Sequence, residues 1–124
     1  MTTGQVRRVA GPLVEVVDLP GLAMAEIVGL GDASLPGEVV ALRDGVATIQ
    51  SYEYTGGLRP GAPVVARGLP LVAPLGPGLL GSVTDGLLRR LDTAGPWLDP
   101  SRPPAAAERS WDVTPAVQVG DTVT

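Results

Sequence analysis

Apolar and polar residues alternate along most of the first half of the chain. Two alternating runs lie in "QVRRVAGPLVEVVDL". Residues 10–12, Ala-Gly-Pro, separate the two runs and predict a turn between them. A third run is "MAEIVGLG" at residues 24–31. A period of two residues is typical of β-strands, because successive side chains point to opposite faces of a sheet. These runs predict three strands.

The segment "EVVALRDGVATIQSY" contains the clearest turn signal in the chain. Asp44-Gly45 predicts a type I′ turn, in which both central residues take positive φ. Closing the hairpin on this turn pairs Leu42 with Ala47. The same register pairs Val40 with Ile49 and places all four side chains on one face. The sequence therefore predicts a hairpin whose core face carries these four residues.

One more short strand is predicted in "APVVARG", after the turn sequence "LRPG". The strands recur at a spacing of roughly 8–12 residues, which is typical of a small barrel or sandwich. Closing the sheet removes its exposed edges. We therefore predict a mainly β fold, with a small six-stranded β-barrel in residues 1–69.

From about Pro70 the pattern changes from a period of two to a period of four. The recurring apolar residues are Leu79, Val83, Leu87 and Leu91. This spacing predicts one apolar stripe along a helix, and Pro77 suits the first turn of such a helix. Gly81 and Gly86 each cost a helix about 1 kcal/mol relative to Ala. Residues 70–92 are therefore predicted to be a connector that contains a short or irregular helix.

The last part of the chain differs again. "DTAGPWLDPSRPPAAAERS" is rich in Pro and Ala and has little periodicity, so it predicts a linker or long loop. "WDVTPAVQVGDTVT" predicts an extended segment with a turn at Gly120-Asp121. A strand-like pattern with no later segment to pair with indicates truncation. Residues 93–124 are accordingly predicted to be a linker and the truncated start of a second β-rich domain.

Composition excludes several classes of protein. The apolar fraction of 44% favours an ordered domain, and the 17 Gly and 13 Pro fall between apolar runs as turn residues. The chain has no Cys and no His, so it lacks thiolate ligands and the commonest general base. Its net charge of −4 does not suit a nucleic-acid partner. No apolar run approaches the roughly 20 residues of a membrane helix, and no signal peptide is recognisable, so we expect an intracellular, soluble protein.

Gly76, Gly78 and Gly81 have the spacing G-x-G-x-x-G of a dinucleotide-binding turn. That turn requires a buried strand before it, a helix after it and an acidic residue about 20 positions later. Here the preceding "PLVAP" is bracketed by prolines, and Asp99 lies in the Pro-rich linker. The earlier chain also contains no βαβ unit. We interpret the spacing as a chance match in a glycine-rich chain, with a nucleotide-dependent enzyme as the alternative.

The carboxylates offer two conceivable catalytic pairs. These are Glu15 with Asp18 and Glu26 with Asp32. Nothing in the sequence brings either pair within the roughly 5–9 Å that paired catalytic carboxylates require. We interpret all four as solvated surface acids.

Two further polar clusters are conspicuous. "YEYTGG", from Tyr52 to Gly57, is interpreted as a loop with two aromatic anchors. Arg89-Arg90 follows the helical stripe and is interpreted as complementing a helix C-terminus, with an acidic partner as the alternative. The residues alone therefore indicate no enzyme, but a structural or interaction module.

Four blocks, taken in order, carry a family resemblance. "GQVRRVAGPLVEVVDLPGLAMAEIVGLG" is similar to an opening G-x-[IV]-x-x-[VI]-x-G-P-[VL]. "GEVVALRDGVATIQSYEYTGGLRPGAPV" is similar to G-E-[IV]-I-x-L, A-T-I-Q-V-Y-E-x-T-x-G-L and G-x-P-V. "PLVAPLGPGLLGSVTDGLLRRL" and "WDVTPAVQVGDTVT" are similar to two later blocks. Together they resemble the N-terminal region of the catalytic A subunit (alpha chain) of V-type/archaeal-type (V/A-type) rotary ATPases.

The chain departs from that family pattern at four places. Ser51 replaces an apolar residue, Tyr54 an acid, Thr84 an aromatic residue and Arg90 a proline. The linker from Thr93 to Ser110 has no clear counterpart. These departures indicate a divergent bacterial member, and they leave the coupling ion and the direction of catalysis open.

The resemblance implies a function for each segment. Residues 1–69 would be the barrel that joins alternating A and B subunits into a crown at the end of the catalytic hexamer away from the membrane. Residues 93–124 would begin the inserted bulge domain. The family's phosphate loop, catalytic glutamate and nucleotide pocket lie beyond Thr124.

The same resemblance sets the expectations for ligands, partners and location. The chain is expected to carry no catalytic, cofactor-binding or metal-binding residue, whereas the parent protein uses ATP and Mg. The expected partners are B-type subunits, with no nucleic acid and no direct insertion into the membrane. The complex is expected to be cytoplasmic and peripheral to the membrane. A free-standing small β-barrel that acts as a protein-binding adaptor is the alternative.

Overall fold

The computed structural model describes residues 3–92, 95–97 and 112–122. Six strands account for most of the regular structure in these ranges. They are β1 (Thr3–Ala10), β2 (Leu13–Val17), β3 (Glu26–Leu30), β4 (Leu35–Arg43), β5 (Val46–Ser51) and β6 (Pro63–Pro70). A single 3₁₀ turn follows at Pro77–Leu79. The predicted mainly β fold with a six-stranded barrel is confirmed.

The strands form one closed antiparallel barrel in the order β1-β2-β5-β4-β3-β6. Three tight hairpins join β1 to β2, β3 to β4 and β4 to β5. Two longer connections, residues 18–25 and 52–62, lead to β3 and β6. β6 closes the barrel because it pairs with β3 on one side and with β1 on the other.

Two of the hairpins end in turns whose type follows from their residues. Asp44 and Gly45 have φ values of 50° and 75°, as a type I′ turn requires, so this prediction is confirmed. Ala10 pairs with Leu13 across Gly11 and Pro12. Gly11 has φ 61°, whereas the ring of Pro12 holds its φ negative, and this combination is that of a type II′ turn.

The predicted core face of the β4–β5 hairpin is wrong at two of its four positions. The ladder follows the expected register as far as Ala41 and Thr48, then skips Val40 and pairs Val39 with Ile49. This β-bulge turns Val40 outward, to 38% exposure, and buries Val39. Leu42 keeps its predicted partner, but it lies near the hairpin tip and is 43% exposed.

The barrel encloses a single apolar core. Its buried members are Val6, Val14, Val16, Leu19, Val28, Leu30, Val39, Ala47, Ile49 and Val64. Most are β-branched, which suits the pleated surface of a strand. Gly37 leaves room for this packing, since a Cβ there would lie 2.7 Å from Cγ2 of Ile49.

The helix predicted from the four-residue spacing is not formed. After the 3₁₀ turn, Gly81 and Leu88 take positive φ, and an isolated bridge joins Thr84 to Arg90. Leu80 and Val83 are 83% and 61% exposed. A helix gains most of its stability by packing an apolar face, and Val83 and Leu91 of this stripe remain exposed. Pro77 does begin the 3₁₀ turn, as its fixed φ favours.

Residues 112–122 contain no strand or helix, although their sequence pattern predicted an extended segment. The predicted turn at Gly120-Asp121 is present, because the Asp121 N–H donates to the Gln118 carbonyl at 3.1 Å and Gly120 has φ 104°. Most of the predicted linker, including Asp99, lies outside the described residues.

The observed register predicts unequal effects of two alanine substitutions. We expect Ile49→Ala to lower the free energy of unfolding by about 2–5 kcal/mol, because it empties part of the core. Leu42→Ala is expected to lower it by about 0.5 kcal/mol or less, because that side chain is already partly in water. Urea denaturation measures both values, and equal losses would contradict the bulge at Val40.

Candidate functional site

The four carboxylates that the sequence suggested as pairs differ in their burial. Asp18 and Asp32 are exposed, in agreement with their interpretation as solvated acids. Glu15 is partly buried and lies 3.6 Å from the guanidinium of Arg8. Glu26 is buried, so its interpretation as a surface acid is wrong.

Glu26 has a structural role inside the barrel. Its Oε1 accepts a hydrogen bond of 2.7 Å from the Gly68 N–H, and its Oε2 accepts one of 3.0 Å from the Ala23 N–H. The ladder between β3 and β6 shifts register between Glu26 and Val28. The carboxylate thus satisfies backbone donors at an irregularity in the sheet, which the buried chain requires.

The glycines of the G-x-G-x-x-G segment lie in the connector after β6, which ends at Pro70. A 3₁₀ turn at Pro77–Leu79 and a reversal at Gly81, φ 74°, follow instead of a helix. The strands of the barrel are all antiparallel. A dinucleotide fingerprint needs a parallel strand before the turn and a helix after it, and neither surrounds these glycines.

A buried group of charges lies where the connector returns to the barrel. Two segments meet there: the barrel loop, residues 52–62, and the connector hairpin, residues 83–91. Arg89 of the connector hairpin is only 7% exposed. Its Nη1 lies 2.6 Å from Oε1 of Glu53, and its Nε lies 2.6 Å from Oδ2 of Asp85. One guanidinium therefore joins a carboxylate of the barrel loop to a carboxylate of the connector hairpin.

Asp85 shapes the connector hairpin as well as binding Arg89. Its Oδ1 accepts hydrogen bonds from the N–H groups of Leu87, at 3.0 Å, and Arg89, at 2.8 Å. Burial acts to raise the pKa of Asp85, but the hydrogen bonds from Arg89 and Leu87 outweigh it and hold the pKa below its ordinary value. Burial likewise acts to lower the pKa of Arg89, and its bonds to Asp85 and Glu53 raise it overall. Both groups therefore remain charged at neutral pH.

Glu53 is fixed on the barrel side by Ser51, the last residue of β5. The Ser51 hydroxyl donates to the Glu53 carbonyl at 2.9 Å and accepts from the Glu53 N–H at 3.2 Å. Ser51 is itself buried, and its N–H donates to the Pro12 carbonyl at 2.8 Å. The two hydrogen bonds between the Ser51 hydroxyl and the Glu53 backbone thus tie the residue that binds Arg89 to the end of β5.

The tyrosines of the barrel loop are not the aromatic anchors that the sequence suggested. Tyr54 is 88% exposed, and its ring lies over Gly56, where a Cβ would be 2.0 Å from it. Tyr52 is 39% exposed, and its hydroxyl donates a hydrogen bond to Oε2 of Glu38 on β4. The apolar residues of this loop that pack against the core are instead Leu58 and Ala62.

The interpretation of Arg89-Arg90 as a helix C-terminal pair is wrong, because no helix precedes it. The alternative, an acidic partner, holds for both residues within the chain itself. Arg90 pairs with Asp92 at the surface, where its Nε lies 2.8 Å from Oδ1. The spacing of four between Asp85 and Arg89 was a local signal for one contact, whereas nothing in the sequence pointed to Glu53.

Comparison with known proteins places this architecture in a family. Residues 6–68 match the family described as ATP synthase alpha/beta family, beta-barrel domain. This range extends from β1 into β6 and so includes the whole barrel circuit. The chain belongs to the ATP synthase alpha/beta family.

Relatives extend the likeness over nearly all of the chain. The A subunit of the A-type ATP synthase of Thermococcus sibiricus is 40% identical over 126 residues, which cover 97% of this chain and 22% of that protein. V-type ATP synthase alpha chain 1 of Clostridium tetani is 40% identical over 129 residues, covering 99% and 22%. The catalytic A subunit of the V-type proton ATPase of Cyanidium caldarium is 38% identical over 133 residues, covering 100% and 23%. The resemblance to the N-terminal region of the A subunit is confirmed.

This member of the ATP synthase alpha/beta family therefore spans about a fifth of the length of these relatives, 22% in the first of them. The chain has no Lys to complete a G-x-x-x-x-G-K-[ST] loop. Residues 3–92, 95–97 and 112–122 hold no group of three or more side chains that could ligate a metal ion. In those same ranges no helix has the length and apolar character needed to cross a membrane.

The contact between Tyr52 and Glu38 gives a measurable titration. The hydrogen bond to Glu38, then burial and the negative charge of Glu38, raise the pKa of Tyr52 from 10.0 to about 12. A raised pKa means that the folded state holds this proton more tightly than the unfolded state does. The contact therefore contributes stability below a pH of about 10 and loses it as the pH rises toward about 12.

We expect Glu38→Gln to return the pKa of Tyr52 toward 10.0. Alkaline titration by phenolate absorbance measures this in a Tyr54→Phe background, which leaves Tyr52 as the one tyrosine, since the chain has two. Glu15→Gln is the matched control and should leave the titration unchanged. An identical curve for Glu38→Gln and the parent would show that the contact does not form.

Proposed function

We propose that this chain is the barrel-bearing N-terminal region of the catalytic A subunit of a V/A-type, ion-translocating rotary ATPase, and that it serves assembly. The observation that carries the proposal is the closed barrel of residues 3–70, which coincides with the family match at 6–68. The similarity to A subunits continues past the barrel, over 97% of the chain in one relative. The connector and the later residues therefore belong to the same family pattern as the barrel.

The proposed partners are B-type subunits, in an alternating hexamer whose crown is built from the barrels. A closed barrel offers no free strand edge, so it cannot recruit a partner by adding a strand. It has to associate through the side chains on its outer surface. The exposed apolar residues Leu13, Val40 and Leu42 on β2 and β4 are available for that purpose.

The proposal also divides the chain. Residues 1–69 form the crown barrel, residues 70–92 the connector, and residues 93–124 a linker and the start of the inserted bulge domain. No catalytic, cofactor-binding or metal-binding residue lies in the chain. ATP and Mg bind elsewhere in the longer protein, which is cytoplasmic and peripheral to the membrane within its complex.

The encoding gene supplies a direct test. We expect its reading frame to continue past Thr124 into a segment G-x-x-x-x-G-K-[ST], because the phosphate loop of a catalytic subunit requires that lysine. Reading the genomic sequence downstream decides the point. A stop codon at Thr124 would favour the free-standing adaptor instead.

Binding experiments test the proposal that this region associates with B-type subunits and does not bind nucleotide. We expect no heat from titrating Mg-ATP or Mg-ADP into the 124-residue chain at micromolar concentrations, because it lacks the phosphate-binding lysine. We expect the chain to co-elute with the B-type subunit of the same genome in size-exclusion chromatography. Micromolar nucleotide binding, or no co-elution at any tested concentration, would count against an assembly role.

A further inference from the structure

The connector leaves the barrel with little apolar packing of its own. Leu71, Val72 and Leu75, which follow β6, are 50%, 58% and 82% exposed. The 3₁₀ turn and the reversal at Gly81 then bring the chain back toward the barrel loop. Apolar packing of this segment is therefore limited, since only Leu79, Leu87 and Leu88 among its large apolar side chains are half-buried.

The contact that does join the two segments is the ion group around Arg89. It forms a continuous chain of links: Ser51 holds Glu53, Glu53 binds Arg89, and Arg89 binds Asp85. Asp85 in turn closes the connector hairpin, whose ends are joined by the Leu91 N–H donating to the Val83 carbonyl at 2.9 Å. The links run without interruption from the end of β5 to the connector hairpin.

The geometry makes Arg89 hard to replace. Its Nε and Nη1 each bind a carboxylate from a different segment, which uses the forked shape of a guanidinium. Lys offers one point charge and cannot reproduce both contacts with the same directions. Removing one partner from a buried ion pair also leaves the other charge desolvated and unpaired, which is strongly unfavourable.

We propose that Ser51, Glu53, Arg89 and Asp85 form a clasp that holds the connector hairpin against the barrel loop. Closed, the clasp fixes the direction in which the chain leaves the barrel, so that the connector hairpin, residues 83–91, moves with the barrel as one body. Open, the connector swings on residues 71–76. This conformational role is independent of the proposed assembly function, because it concerns contacts within the chain.

Amide hydrogen exchange on the whole 124-residue chain tests the clasp. We expect Arg89→Lys and Glu53→Gln to speed the exchange of amides in residues 83–91 roughly tenfold or more, since the local opening free energy falls. Core amides on β2 and β5 should keep their parental rates. Arg90→Lys is the matched control, because Arg90 is the adjacent arginine and its side chain pairs at the surface.

Two exchange results would overturn the clasp. One is parental exchange in residues 83–91 of both Arg89→Lys and Glu53→Gln. The other is an equal acceleration in the core of β2 and β5, which would make Arg89 a support of the barrel itself. The acceleration in the double variant Glu53→Gln/Arg89→Lys should be smaller than the product of the two single accelerations, because both changes weaken the same contact.

A distance measurement tests the fixed direction. The chain has no Cys, so Gln50→Cys on β5 and Gly86→Cys in the connector hairpin introduce two unique labelling sites, both exposed. Spin labels at these sites should give a narrow distance distribution in the parent and in Arg90→Lys, and a broad one in Arg89→Lys. Equal widths in all three proteins would contradict the proposal, whatever the outcome of the B-subunit binding experiment.

Discussion

The whole barrel depends on β6 pairing with two strands at once. Val64, at 0% exposure, lies opposite Gly4 on β1 and opposite Leu30 on β3, so the sheet closes at this residue. Gly4 leaves the space for Leu19 of the connection 18–25, because a Cβ at Gly4 would lie 2.6 Å from Cβ of Leu19. Closure converts six short strands, none stable alone, into one enclosed core without free edges.

Closing so small a sheet requires local departures from a regular ladder. Register shifts occur at Val6/Arg8, at Glu26/Val28 and at Val39/Ala41. Each shift increases the local twist and changes which side chains face inward. At the second shift, a buried carboxylate replaces lost ladder bonds, which explains an acid inside an otherwise apolar barrel.

The connector is organised by a different interaction from the barrel. The barrel is held by apolar burial, whereas the connector hairpin is joined to the barrel loop by charged contacts around Arg89. Every buried side-chain nitrogen and oxygen in the described part of the chain has a hydrogen-bond partner.

The sequence by itself determined the strands, the type I′ turn at Asp44-Gly45, the barrel and, through its ordered blocks, the family. These features depend on local turn chemistry and on a period of two, which neighbouring residues specify. Only the tertiary structure decided that Val39 and not Val40 faces the core, that the leucines of the connector form no helix, and that Arg89 meets Glu53. The bulge at Val40, the lack of a connector helix and the contact across 36 residues share one cause. All three depend on where distant segments of the chain lie, and the closed barrel rather than any local sequence pattern sets those positions.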